Sequence, residues 1–289
     1  MAKVIIPLPS RDFDPSEVAV SWQILNQDGH QVFFATPDGK PASADPLMLT
    51  GEGLDLWGLI PGLKRLKVIG LLLRANVDAR KAYSQLVQDK QFNAPFAYAD
   101  LRSENFEGLV LPGGHWARGM RFYLEDLTLQ KFVAEFFDER KPVGAICHGV
   151  VLAARSVSSL TGKSSLYGLK TTALTWGLEN SAWSMMKVLG RVWDPNYYRT
   201  YMESGSEPVG YRGVQAEVER ALRSPTDFLD VPKDEKFYFR KTSGIFRDRD
   251  DDERPSFVVQ DGNYVSARWP GDVHCFAKKV SALLRTFER

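Results

Sequence analysis

The sequence predicts an α/β protein in which helices cover both faces of a mostly parallel sheet. Short apolar runs alternate with helical patterns along the chain, and one of these runs, residues 142–146, is apolar throughout before it ends at Cys147. Continuous apolar strands that alternate with helices are typical of parallel sheets buried on both faces. A composition of 289 residues with 44% hydrophobic and 25% charged side chains fits a globular domain of this kind.

The first half of the chain begins with a β-α-β pattern. Residues 3–8 are predicted to form a strand, residues 18–26 a helix and residues 31–36 a second strand, with Asp28-Gly29 at the turn. We predict next a helical region over 66–87, a strand over 108–112, a helix over 127–140 and a strand over 142–146. In such sheets ligands bind at the carboxyl ends of the strands, which is where Cys147 lies.

The second half is predicted to be less regular. We expect a strand over 170–175, a helix over 181–189, a final strand over 263–269 and a final helix over 271–287. Residues 193–213 are rich in Tyr, Gly, Pro and Ser, and residues 247–254 form a mixed charge run without an apolar anchor, which is typical of a solvent-exposed loop. The sequence therefore predicts one domain, residues 1–289, with an inserted cap or loop region at about 193–262.

Composition also restricts the function classes. A net charge of +1 indicates neither a nucleic-acid partner nor an anionic membrane surface, and no apolar run is long enough for a signal peptide or a membrane span. Two cysteines, Cys147 and Cys275, are too few for a disulfide framework and fit a reducing compartment. None of the four histidines is paired at helical spacing, so we expect no metal site. We also expect that the protein uses no cofactor and that it is soluble and cytoplasmic.

Cys147 is the residue most indicative of chemistry. It ends a buried strand and precedes a helical pattern, so it is predicted to lie at a helix N-terminus, where free N–H groups and the helix dipole favour thiolate. His148 is unusual at the end of an apolar strand, and Gly149 permits close backbone approach. The alternative is that Cys147 is a small buried hydrophobic residue.

Three segments together resemble the ThiJ/PfpI superfamily: AICHG at 145–149, LPGGH at 111–115, and FATPDG at 34–39 after a helix that carries Glu17. The resemblance implies the class I glutamine amidotransferase-like fold, a flavodoxin-like three-layer sandwich. The TPDG segment, the cap-like region and the length are similar to the heat-shock branch of that superfamily, which includes glutathione-independent glyoxalases and holdase chaperones.

The resemblance implies roles for individual residues. Cys147 matches the nucleophile at a sharp turn, His148 the adjacent imidazole, and Glu17 the early acidic residue that approaches the sulfur. Without the resemblance, Glu17 would be interpreted as a carboxylate at a helix N-terminus. Glu179 is the best positional match for an acidic partner that holds the His148 tautomer, although it also fits a first-turn helix carboxylate.

The turn that follows residues 108–112 is implied to contact the substrate. Gly113 and Gly114 resemble the turn that supplies one oxyanion-hole N–H, with the other from the backbone of His148. For these glycines the alternative is an ordinary strand-end turn. His115 extends the same loop and is predicted to line the pocket, with a solvent-facing or capping role as its alternative.

A departure from the family pattern narrows the chemistry. Glutamine amidotransferases carry a late His-Pro-Glu motif, but residues 268–272 read RWPGD, so glutaminase activity is disfavoured. His274 is predicted to lie in the following helix and Cys275 to be a packing residue.

The resemblance implies a cysteine-dependent lyase or hydrolase that acts on a small aldehyde or acyl compound, for example one that converts methylglyoxal to lactate. A stress holdase, a redox sensor and a peptidase or amidase stay open as alternatives. Members commonly form homodimers or larger oligomers, which we expect here too.

Overall fold

The computed structural model describes residues 1–287 and contains a central seven-stranded sheet in the order β5-β3-β1-β6-β7-β9-β8. All neighbouring strands of this sheet are parallel except β8, which pairs antiparallel with β9. Strands β2 and β4 form a separate short pair. The strands are β1 Lys3–Pro7, β2 Arg11–Phe13, β3 Gln31–Thr36, β4 Ser43–Ala44, β5 Phe96–Ala97, β6 Gly108–Leu111, β7 Val143–Ile146, β8 Val258–Asp261 and β9 Tyr264–Ala267. The predicted fold class is confirmed.

Helices flank this sheet on both sides. They are α1 Pro15–Gln27, α2 Pro46–Thr50, α3 Ile69–Leu73, α4 Val77–Leu86, α5 Lys90–Asn93, α6 Ala117–Glu125, α7 Leu127–Asp138, α8 His148–Arg155, α9 Trp176–Val188, α10 Val214–Ala221, α11 Tyr238–Thr242 and α12 Val273–Phe287. Short 3-10 turns are found at Leu63–Arg65, Tyr98–Asp100, Ser103–Asn105, Pro225–Asp227 and Pro270–Asp272. None of the helices in residues 1–287 is long and apolar enough to cross a membrane.

Two large core clusters cover the two faces of the sheet, and a third, small cluster contains Met48, Leu54, Met186 and Tyr197. In β1, Val4 and Ile6 belong to the cluster that includes residues of α1, α4 and α12, whereas Ile5 belongs to the cluster under α6, α7 and α8. Successive residues of a strand point to opposite faces, so a strand that is apolar at every position must be covered on both. This explains why β1, β6 and β7 are continuous apolar runs in the middle of the sheet.

The central strands bring distant parts of the sequence to one edge. Because β1, β6 and β7 are adjacent and parallel, their carboxyl ends lie side by side. After β1 the chain continues toward the start of α1, after β6 it enters the loop 112–116, and after β7 it reaches Cys147. Residues about 100 positions apart in sequence therefore meet above the sheet.

The predicted strand over residues 170–175 is wrong. This segment makes only an isolated bridge between Thr171 and Phe228, and its Thr172 N–H donates to the Ser266 hydroxyl at 3.0 Å. Both edges of β7 are already paired, one with β6 and the other with β9, which in turn pairs with β8. Residues 170–175 have a composition that favours a strand, but they have no neighbouring strand with which to form a ladder.

The 247–254 charge run is only partly the exposed loop that the sequence predicts. Asp248 is buried, and its carboxylate oxygens accept hydrogen bonds from the backbone N–H groups of His274 and Cys275 at 3.2 and 2.8 Å, in the first turn of α12. Arg247 is partly buried and lines a cavity. The alternating charges of this run do not predict these roles, because the groups that Asp248 and Arg247 contact lie in remote segments of the chain.

The range predicted as an inserted cap, about 193–262, includes a strand of the central sheet. It contains α10, which packs against α8, and α11, whereas β8 within the same range belongs to the central sheet. Its aromatic part is packed inward: Tyr197 is buried and donates a hydrogen bond to the Asp45 carboxylate at 2.7 Å.

Candidate active site

Cys147 lies between β7 and α8 with φ 56° and ψ −125°. A positive φ is unusual for a residue with a side chain and costs about 1–3 kcal/mol, which surrounding packing must offset. The backbone is held there by a hydrogen bond from Cys147 N–H to the Ala267 carbonyl at 3.1 Å. This turn directs the thiol over the carboxyl end of the sheet and into a cavity of about 310 Å³.

His148 connects the thiol to a hydroxyl. Its Nδ1 lies 3.6 Å from the Cys147 sulfur, and its Nε2 lies 2.9 Å from the Thr200 hydroxyl oxygen. Thr200 has one hydroxyl proton, which it donates to the His115 carbonyl at 2.8 Å, so it must accept from His148 Nε2–H. Nδ1 is then the unprotonated nitrogen, and its lone pair faces the thiol. Burial lowers the pKa of His148 to about 3, with Arg155 and Arg199 adding to the effect, so this imidazole is neutral at physiological pH.

The predicted contact between Glu179 and His148 is not made. Glu179, in the first turn of α9, forms an ion pair with Arg199 at 3.0 Å and accepts from the Val214 N–H at 3.0 Å. Burial raises its pKa to about 7, opposed by the hydrogen bond from Val214 and by the charge of Arg199. Glu179 lines the cavity and reaches His148 only indirectly, because Arg199 precedes Thr200 in the chain. The polar partner of His148 is Thr200.

Glu17 lies at the start of α1, beneath the loop after β6. Asp14 caps this helix by accepting from the N–H groups of Ser16 and Glu17, and Glu17 Oε2 accepts from Gly113 N–H at 2.6 Å. Burial raises the pKa of Glu17 well above its usual value, and the charge of Asp14 adds to this, whereas the Gly113 hydrogen bond opposes it. Burial therefore favours the neutral form of this carboxyl more than water would. The other oxygen, Oε1, is buried and has no hydrogen-bond partner within residues 1–287.

Replacing Glu17 with Gln tests the raised pKa of this carboxyl through protein stability. A carboxyl with a raised folded-state pKa binds more protons in the folded than in the unfolded chain above about pH 4.5, so its stabilising contribution is lost as the pH rises. The free energy of unfolding of the wild type should fall more steeply with pH than that of Glu17→Gln, by up to about 1.4 kcal/mol per pH unit. Urea unfolding between pH 5 and 8 measures both slopes. The exposed control Glu104→Gln should follow the wild type, and identical slopes for the wild type and Glu17→Gln would contradict a raised pKa of Glu17.

The thiol itself departs from the expectation of a ready thiolate. Burial raises the pKa of Cys147 well above the usual value, the carboxylates of Glu17 and Asp14 add to the rise, and the His148 backbone N–H opposes it. Loss of hydration at this site outweighs the helix N-terminus. Cys147 is thus a neutral thiol before substrate binds, so a base must take its proton during attack.

The two glycines of the 112–116 loop are held close to the reactive residues. A Cβ on Gly113 would lie 2.7 Å from the His148 nitrogen and 3.1 Å from Cys147 Cβ, and one on Gly114 would lie 2.6 Å from the Asp12 carbonyl oxygen. Both positions therefore exclude a side chain, and Gly114 lines the cavity. The Gly113 N–H, which we expected to face a substrate oxyanion, is used by Glu17. Its role as an oxyanion donor stays a prediction.

His115 is buried against aromatic rings in the cavity wall. Its ring stacks on Tyr198 with centroids 4.2 Å apart and meets Tyr197 edge-on. Burial lowers the pKa of His115 to about 3, assisted by His148. The neutral ring is a shape-determining part of the wall, and its backbone carbonyl holds Thr200.

Two residues that the sequence did not indicate complete the site, namely Thr200 and Arg247. Arg247 lines the same cavity as Cys147, and Thr200 lies behind His148. The aromatic-rich segment 193–213 indicated a cap, but its local sequence pattern did not identify Thr200 as a site residue. Within residues 1–287, no three His, Cys, Asp or Glu side chains are grouped so that they could hold a metal ion.

A parallel sheet with a cysteine at a strained turn beside a histidine and a buried glutamate defines a class of α/β proteins with a nucleophile elbow. Comparison with known families specifies the class further, because the model of the ThiJ/PfpI family-like proteins matches residues 8–209. The chain belongs to the ThiJ/PfpI family.

Relatives and structural neighbours agree with this assignment. An uncharacterized protein of Schizosaccharomyces pombe is 23% identical over 98% of this chain and 84% of its own length. A deglycase of Thermococcus kodakarensis is 25% identical over 42% of this chain and 71% of its own length. The crystal structure of glyoxalase III from Candida albicans has a TM-score of 0.57 at 15% identity and covers 97% of this chain and 96% of that one. Enzymes are therefore found among the proteins that this chain resembles.

Proposed function

We propose that the protein is a cysteine-dependent enzyme that converts a 2-oxoaldehyde and water to a 2-hydroxy acid without glutathione. The observation that carries the proposal is that Cys147 opens onto a cavity, with the Nδ1 of His148 3.6 Å from its sulfur and the buried carboxyl of Glu17, whose pKa is raised, in the cavity wall. A thiol between a base and an acid is suited to adding across a carbonyl group. The deglycase and glyoxalase III relatives support carbonyl chemistry.

In the first step, the sulfur adds to the aldehyde carbon. The thiol proton moves to His148 Nδ1, and the aldehyde oxygen takes the proton of Glu17 Oε1, which gives a neutral hemithioacetal, an imidazolium and a carboxylate. Thr200 accepts from Nε2–H throughout and so keeps the imidazole oriented as it gains charge. The low pKa of His148 makes it a weak base, so proton transfer must accompany formation of the carbon–sulfur bond.

In the second step, the hydrogen moves between the two carbons. The Glu17 carboxylate removes the proton from the hemithioacetal carbon while the imidazolium protonates the neighbouring carbonyl oxygen, giving an enediol. The enediol gains a proton at the second carbon and loses its proton from the first oxygen, which leaves the cysteine thioester of a 2-hydroxy acid. Water then attacks the thioester, and the sulfur leaves with a proton. The first carbon is oxidised and the second is reduced, so no external oxidant is required.

Replacing Cys147 with Ala should abolish this turnover. With the nucleophile removed, we expect kcat/KM for methylglyoxal and phenylglyoxal to fall at least about 1,000-fold, because no thioester can form. The measurement is the release of lactate or mandelate, with circular dichroism to verify the fold. Cys275→Ala is the matched control, since Cys275 lies in α12 outside the cavity lining. Turnover of both substrates by Cys147→Ala at the wild-type rate would refute the proposal.

A holdase function is supported by a different observation. Several large apolar side chains between residues 56 and 72 are more than half exposed, among them Leu59, Leu66 and Val68. Exposed apolar surface of this kind suits binding of other chains. A redox-sensing role is less well supported, because sensor cysteines are exposed thiolates whereas Cys147 is buried with a raised pKa.

A further inference from the structure

Arg247 is the only cation among the described residues that line the Cys147 cavity. Its Nη2 donates to the Leu73 carbonyl at 2.9 Å, and its guanidinium carbon lies 5.3 Å from the centre of the Trp269 ring. Within residues 1–287 the guanidinium has no carboxylate partner within 4 Å, unlike Arg199 or Arg268, which are paired at 2.6 and 2.7 Å. Most of its five N–H donors are therefore available to a bound molecule.

The rest of the wall is mostly apolar. Besides the reactive residues, it includes Leu72, Leu73, Leu178, Met185, Ile245 and Trp269. A volume of about 310 Å³ exceeds what a three-carbon compound fills, and apolar walls stabilise apolar ligand surface. A ligand that fits this cavity has an apolar body beyond the group that meets Cys147.

The carboxyls of the site limit the charge of such a ligand. Asp14, Glu17 and Glu179 line the same wall, and the charge of Asp14 acts on the Arg247 guanidinium from beyond ion-pair distance. Arg247 supplies the wall with one positive charge, so a dianion such as a phosphate ester would leave more negative charge uncompensated in this mostly apolar cavity than a carboxylate would. The planar donor fork of Arg matches a carboxylate.

We propose that Arg247 binds the carboxylate of a reactant that has an apolar body, and so selects carboxylate-bearing electrophiles for Cys147. This deepens the proposed function, on which it rests for the identity of the nucleophile, by naming the substrate class as an oxoaldehyde that also carries a carboxylate. The opposing interpretation is that Arg247 only offsets the charge of Asp14 at the start of α1.

Two alkylating reagents of nearly equal size separate these interpretations. Iodoacetate carries a carboxylate where iodoacetamide has a neutral amide, and with each the Cys147 sulfur forms a bond to carbon as iodide leaves with the bonding electrons and the thiol proton is lost to solvent. The ratio of the two rates, followed by intact-protein mass spectrometry in the Cys275→Ala background, reports carboxylate selection independently of overall thiol reactivity.

We expect Arg247→Gln to lower the iodoacetate-to-iodoacetamide ratio about tenfold or more, since a charge-assisted pair in a poorly hydrated cavity is lost. Arg247→Lys should keep part of the ratio, because it retains the charge but not the fork. Arg254→Gln is the matched control, since Arg254 belongs to the same charge run but pairs with Asp252 outside the cavity lining. A ratio that is equal in wild type and Arg247→Gln would overturn the inference.

Turnover distinguishes failure of this inference from failure of the proposed function. Phenylglyoxal and 4-carboxyphenylglyoxal form a matched pair of neutral and anionic substrates. If the alkylation ratio depends on Arg247 but neither oxoaldehyde is consumed, carboxylate selection stands and the glyoxalase proposal fails. If both are consumed and neither the alkylation ratio nor the preference between substrates changes in Arg247→Gln, the glyoxalase proposal stands and carboxylate selection by Arg247 is refuted.

Discussion

Replacement of Thr200 with Val is expected to lower kcat about 100-fold while the protein stays folded. Valine has nearly the shape of threonine but cannot accept the hydrogen bond from His148 Nε2–H. Without that acceptor, the tautomer that leaves Nδ1 free toward the Cys147 sulfur is no longer favoured, and an imidazole in the wrong tautomer cannot take the thiol proton. The hydrogen bond to the His115 carbonyl is also lost.

The effect should be specific to proton transfer. Thr200→Ser keeps the hydroxyl and should restore most of the activity, and the pH profile of kcat should change in Thr200→Val but not in Thr200→Ser. Glu179→Gln provides the comparison with the residue that the sequence favoured: it weakens the ion pair with Arg199 but leaves the Thr200 hydroxyl in place, so a smaller loss is expected. A larger loss in Glu179→Gln than in Thr200→Val would show that the acidic residue, and not the hydroxyl, controls His148.

Replacement of Gly149 with Ala should be the most destabilising single-methyl change near the site. A Cβ at this position would lie 1.9 Å from the Leu111 carbonyl oxygen, 2.6 Å from the Leu111 carbonyl carbon and 3.0 Å from the Pro112 carbonyl oxygen. These are backbone atoms at the end of β6, so they cannot rotate away as a side chain would. Separating α8 from β6 disrupts the core beneath the elbow, and we expect a loss of about 4 kcal/mol or more in the free energy of unfolding, or no soluble folded protein.

Gly177 provides a matched control in another helix. It is exposed in the first turn of α9, and the nearest atom to an added Cβ is the Thr175 hydroxyl oxygen at 4.0 Å. Gly177→Ala should therefore be neutral or stabilise the protein by about 0.5–1 kcal/mol, because alanine loses less conformational freedom on folding. Urea unfolding and soluble yield compare the two variants. A Gly149→Ala protein as stable as Gly177→Ala would contradict the close approach of α8 to β6.

The alternation of apolar runs and helical patterns was sufficient to predict the sheet class. A strand buried on both faces is a continuous apolar run in the sequence, as in residues 142–146. The Cys-His-Gly sequence that follows this run indicates the turn. The prediction failed where strand pairing, and not the local sequence pattern, determines the structure. Residues 170–175 have the composition of a strand, but both edges of β7 are already paired with other strands. The antiparallel β8 was missed because its residues lie after a long irregular region.

The sequence by itself determined the class of fold, the turn at Cys147 and the pairing of that cysteine with His148, since each depends on neighbouring residues. The tertiary structure alone decided what surrounds them. It placed Thr200 behind His148, paired Glu179 with Arg199, turned Arg247 of an apparently solvated charge run toward the cavity, and left Cys147 a buried neutral thiol. The physical reason is that hydrogen-bond partners and loss of hydration depend on which remote segments the parallel sheet brings to its carboxyl edge, and no local pattern records that.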